Sequence, residues 1–156
     1  IHLETMETFY RNGITTVGCT RLPLIASTPF YRLVLRRDDH FRAVDYTCLS
    51  RQKLPADFIL TTSFDHALRQ FYDLMPLASL LYLNQSASAQ ELLDAMTLRP
   101  AKLLGLDACG SIRIGAKGDL LVFQAQDLHE LFHSFGKKRL HRIIHEGVHI
   151  WPHVII

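Results

Sequence analysis

The sequence predicts an α/β protein, and three observations carry that expectation. Short β-branched runs at residues 14–17 (ITTV) and 58–62 (FILTT) have the length and composition of buried strands. Longer apolar stretches, Leu74 to Leu83 and the segment opened by Ser88, fit helices. After Gly105 the texture changes, and Gly110, Gly115 and Gly118 separate short β-type pieces.

Taken in order, Asn12-Gly13 ends a polar and aromatic stretch and residues 14–17 follow, the helix–stop–strand unit of a parallel sheet. Thr15 and Thr16 are expected as strand residues. Pro23 and Pro29 punctuate a loop. Residues 30–37 form an amphipathic element whose pattern fits helix and strand equally, and Asp38-Asp39-His40 reads as a polar turn. Residues 43–46 are a short strand candidate; residues 58–62, entered from Pro55, are a stronger one. Leu74 to Leu83, with Pro76 near its start, reads as a buried helix. Ser88-Ala89-Gln90-Glu91 has the form of a capping box, with Leu92, Leu93 and Met96 following. Pro100 suits the first turn of a short helix that Gly105 ends. Residues 120–123 are an apolar strand, and residues 142–151 turn at Glu146-Gly147. The division expected is residues 1–106 as an α/β region and residues 107–156 as a β-rich segment.

The 156 residues suffice for one domain with a real core. At 48% hydrophobic and 21% charged, the composition is that of an ordinary globular chain. A net charge of +2 gives no field that would recruit nucleic acid or a membrane surface, so neither is expected as a partner. The short basic runs Arg36-Arg37 and Lys137-Lys138-Arg139 read as solvated faces. Cys19, Cys48 and Cys109 are widely spaced, with no CxxC pair, which indicates neither a disulfide framework nor a zinc knuckle and fits a cytoplasmic location. No apolar stretch approaches the roughly 20 residues of a membrane span. The chain begins with Ile1, and a longer parent polypeptide is expected.

The segment Arg99-Pro100-Ala101-Lys102-Leu103-Leu104-Gly105-Leu106, then Gly110-Ser111-Ile112, Gly115 and Gly118-Asp119-Leu120-Leu121-Val122, resembles the C-terminal signature of the amidohydrolase superfamily. That signature runs "nPAklLGL" into "kGsI..G..ADlvv"; Gly118 stands where alanine is usual. Arg142-Ile143-Ile144-His145-Glu146-Gly147-Val148 is similar to the closing strand pair. Upstream, Ile1-His2-Leu3 is similar to the end of the "HxH" of the first barrel strand. Asn12-Gly13-Ile14-Thr15-Thr16-Val17 resembles the "GGiTTv" of the second strand in dihydroorotases and hydantoinases. Val44-Asp45-Tyr46 resembles the third strand of that branch, and Asp57-Phe58-Ile59-Leu60 leading to Asp65-His66-Ala67 its eighth, which ends in "TDHAP".

The resemblance implies a partial (β/α) TIM-type barrel, or one of which this chain holds separate parts, with a small C-terminal β-rich domain. It implies hydrolysis of a C–N bond in a small cyclic amide or ureide, assisted by one or two zinc ions. His2 would bind metal, and Asp65 would bind metal and shuttle the proton. Zinc acidifies bound water and polarises a carbonyl, and barrel active sites gather at the C-terminal ends of the strands. A homo-oligomer is left open.

One departure is large. The family places four strands, with a bridging lysine and two histidine ligands, between the stretches that here lie at Tyr46 and Asp57. A full barrel takes about 250 residues. Two readings follow: joined parts of a longer active chain, or an inactive relative serving as an interaction or assembly partner. A third stands apart from the family. His129-Glu130-Leu131-Phe132-His133 matches HExxH, in which two histidines four apart share a helix face and bind zinc. Against a peptidase, six of the nine histidines crowd between His129 and His153, and this helix is expected to be a surface connector. His141, His145, His149 and His153 recur every four residues, but Gly147 and Pro152 break a helix there, and exposed strand histidines are expected.

Overall fold

The computed structural model describes residues 16–19, 32–35, 42–50, 53–61 and 74–151. In chain order its elements are β1 (Thr16–Cys19), β2 (Arg32–Leu35), β3 (Ala43–Val44), a 3-10 turn (Tyr46–Cys48), β4 (Ile59–Leu60), α1 (Leu74–Leu83), α2 (Ala89–Met96), α3 (Leu98–Leu103), β5 (Leu120–Phe123), α4 (Leu128–His133), β6 (Leu140–His145) and β7 (Val148–Trp151). The chain is mixed α/β, as expected. It divides into two units, one of residues 41–116 and 123–139, the other of residues 1–40, 117–122 and 140–156.

In the first unit, β3 and β4 pair in parallel, Ala43 opposite Ile59 and Val44 opposite Leu60. Val44, Phe58, Ile59 and Leu60 are all buried, the run of apolar residues that a strand covered on both faces requires. β3 is shorter than expected. The Asp45 carbonyl accepts from the Cys48 N–H at 3.0 Å, which turns Tyr46–Cys48 into a 3-10 helix where a strand was expected to continue.

Helices cover this pair. α1 buries Leu77, Ala78 and Leu81 completely. α2 is polar on one face and buries Ala89, Leu92 and Ala95, three apart on the other. Its capping box is complete. Ser88 Oγ accepts from the Glu91 N–H at 3.3 Å, and Glu91 Oε2 accepts from the Ser88 N–H at 2.9 Å. α3 follows with Pro100 inside its first turn, and Gly105, at φ 66, ends it in the left-handed conformation. α4 corrects the expectation of a surface connector. Its Leu131 and Phe132 are buried in the same core as Leu77, Leu81 and Leu92, and Phe132 is among the largest fully buried side chains.

In the second unit, β1 and β2 are parallel, Thr16 opposite Arg32 through Cys19 opposite Leu35. Residues 32–35 therefore settle as strand. The three-stranded sheet has the order β5-β6-β7. β6 and β7 are antiparallel, with a register shift between Ile143 and Ile144. The expected turn at Glu146-Gly147 is present, and both residues have positive φ (50° and 80°), the pairing of a two-residue hairpin loop. Gly118 packs against this turn. Its carbonyl accepts from the Gly147 N–H at 2.9 Å, and a Cβ on Gly118 would stand 2.8 Å from that nitrogen. That contact accounts for glycine where alanine is usual. Among the described residues, no helix is long and apolar enough to cross a membrane.

Candidate functional site

The parallel pair brings the ends of two strands together. Thr61 N–H donates to the Val44 carbonyl at 3.0 Å, so Asp45, just beyond β3, and Thr61, just beyond β4, follow neighbouring strand ends. In parallel sheets ligands gather at those carboxyl ends. Asp45 is half-buried, and its Oδ1 lies 4.0 Å from Cys48 Sγ. The entry to β4 is held from α3: Arg99 Nη1 donates to the Phe58 carbonyl at 3.0 Å while its guanidinium lies 5.1 Å from the centre of the Phe58 ring. Asp57, at φ 55, is the strained residue that turns the chain into this strand.

His2 and Asp65, the residues expected to hold metal, lie outside the described residues. Among the described residues, no three or more His, Cys, Asp or Glu side chains come together to hold a metal ion.

The HExxH residues lie on α4, and each has a definite setting. Glu130 is used locally. Its Oε2 accepts from the Gln126 N–H at 2.8 Å and its Oε1 pairs with Arg139 Nη1 at 2.7 Å. The backbone hydrogen bond from Gln126, reinforced by Arg139, holds its carboxyl below the usual 4.5. His129 Nδ1 lies 2.7 Å from the Tyr82 hydroxyl, a pair separated by 47 residues in sequence. His133 lies in an open cleft of about 480 Å³ with Tyr82, Leu83, Gln85, Ala87 and Ser88.

Of the later histidines, His141 and His149 are exposed on β6 and β7, as expected, and His153 lies outside the described residues. His145 is only partly exposed, and Nδ1 sits 2.8 Å from Asp119 Oδ1, which also accepts from the Glu146 N–H at 2.8 Å. Neither the Tyr82–His129 contact nor the Asp119–His145 contact has a sequence signal, because both join residues distant in the chain.

The amidohydrolase family model matches residues 44–148, from the end of β3 to the start of β7. The chain belongs to the amidohydrolase family. That membership makes hydrolysis its general chemistry. No curated protein matches the chain.

Proposed function

We propose that this chain serves the hydrolysis of a C–N bond in a small cyclic amide or ureide, in the manner of the dihydroorotase and hydantoinase branch. The observation that carries the reading is the family match over residues 44–148, which takes in Val44 of β3, the whole of β4 and, in sequence, Asp65-His66-Ala67. The remaining support is the resemblance of Val44-Asp45-Tyr46 and of the Asp57 to Ala67 stretch to strands of that branch. On this reading the chain is part of a (β/α) barrel in a cytoplasmic protein. One or two zinc ions, held in part by His2 and Asp65, would supply an acidified water and a polarised carbonyl. Asp65 accepts a proton from water as it adds to the carbonyl carbon and returns one to the departing nitrogen.

A chelator tests the metal requirement. Hydrolysis of dihydroorotate or hydantoin by the chain is expected to stop when the metal is stripped and to return with added zinc. Turnover that is indifferent to chelation would refute it.

One observation favours the second reading, an inactive relative. β3 pairs directly with β4, although the resemblance aligns them with the third and eighth strands of a barrel. A chain in which those two strands are neighbours has closed over the segment that carries the other ligands.

A further inference from the structure

The setting of α4 points to a site independent of the hydrolytic reading. We propose that His129 and His133, with Tyr82 behind them, form a surface site for a borderline divalent transition-metal ion such as zinc. The two histidines are four apart on one helix, so their side chains lie on neighbouring turns of one face. Both are exposed, and both stand beside Tyr82. His129 approaches its hydroxyl at 2.7 Å, with ring centroids 5.9 Å apart, and His133 shares the cleft that Tyr82 lines. Tyr82 is itself anchored, its ring centroid 6.3 Å from that of buried Phe132.

This contact has a consequence for the imidazole. When Nδ1 of His129 carries the proton and donates to Tyr82 Oη, Nε2 keeps its lone pair and the ring is held in one orientation. A metal-binding histidine commonly has such an outer partner on its second nitrogen. Two imidazoles suit zinc, copper and nickel better than the hard cations that prefer oxygen. Water would fill the remaining positions, so the site exchanges its ion readily.

The site binds metal without the chemistry of a zinc peptidase. That chemistry needs the glutamate of HExxH as a base. Both oxygens of Glu130 are engaged, one by the Gln126 N–H and one by Arg139.

The test is a zinc titration of the full chain followed through the histidine ring nitrogens by NMR. This readout separates the site from any metal centre elsewhere. The rings of His129 and His133 are expected to shift together, with one midpoint, at lower zinc than those of His141 and His149. His133→Ala should weaken zinc binding at His129 by about tenfold or more, and Tyr82→Phe by about 10- to 100-fold, as loss of an outer-sphere partner does. Circular dichroism should show both variants folded. Separate midpoints for the two rings, shifts only at the zinc concentrations that move His141 and His149, or an unchanged midpoint in folded Tyr82→Phe would each overturn the proposal.

Discussion

Glu130 shows how local structure can take up a residue that a motif assigns to chemistry. Asp127 caps α4 by accepting the Glu130 N–H at 2.7 Å, and the Glu130 side chain reaches back to the Gln126 N–H and across to Arg139. The substitution Glu130→Gln is therefore expected to leave any hydrolysis of a cyclic amide intact and to lower the melting temperature, because it removes the ion pair with Arg139. Activity and thermal melts on one preparation would check both; loss of activity with unchanged stability would put the glutamate in the reaction. The glycines read differently. Gly105 was legible as a helix stop from its place after the helical pattern. The reason for Gly110 was not. A Cβ there would come within 2.8 Å of both the Ala101 Cβ and the Thr97 carbonyl, a crowding visible only once the chain has folded back on α3.

At the scale of elements, the segments whose signals are local were the ones read well. α1 has the bounds that its apolar run gave, and the Ser88–Glu91 capping box is present, because a cap is decided within four residues. β2 was ambiguous because four strand residues inside a longer apolar stretch carry no distinct period. α4 was misjudged because the adjacent pair Leu131-Phe132 is framed by His129, Glu130 and His133, and the polar frame disguised a buried face. The cap makes a quantitative prediction. Ser88→Ala should cost about 1 kcal/mol, within roughly 0.5–2 kcal/mol, measured by chemical denaturation. It should also change the response to pH. The Ser88 N–H first, and its hydroxyl second, hold the Glu91 carboxyl below the usual 4.5. A carboxylate whose folded pKa is lowered contributes stability that is fully present above the unfolded value and is lost as pH falls through the folded one. Acidification from above 4.5 through the lowered range should therefore loosen the start of α2, seen as falling helical ellipticity. Ser88→Ala keeps the N–H and removes only the hydroxyl, so it should lessen that loss in part.

At the scale of the molecule, one core unites the helices with the parallel strands of the first unit. Phe132, Leu77, Leu81 and Leu92 meet Val44, Phe58 and Leu60 there. Truncating Phe132 to alanine should cost about 3–5 kcal/mol by denaturant unfolding, the range for a buried aromatic whose cavity cannot collapse. A loss well under that range would return α4 to the surface role its polar residues suggested. The family was legible in the sequence because the "PAKLLGL" helix and the glycines after it keep their register through local turns. The candidate metal site was legible only as a resemblance. His2 and Asp65, the ligands the resemblance implies, are distant in sequence, and neither spacing nor composition pairs such residues. The central claim, a hydrolase of cyclic amides with Asp65 as its base, is tested most directly by steady-state hydrolysis of dihydroorotate or hydantoin in the presence of zinc. The unmodified chain is compared with Asp65→Asn, and circular dichroism monitors folding. Asparagine keeps the shape of the side chain but cannot accept the proton, so turnover should fall by at least the roughly 10²–10⁴-fold that general-base help supplies. Turnover that survives in Asp65→Asn, or its absence from the unmodified chain at saturating zinc, would contradict the claim.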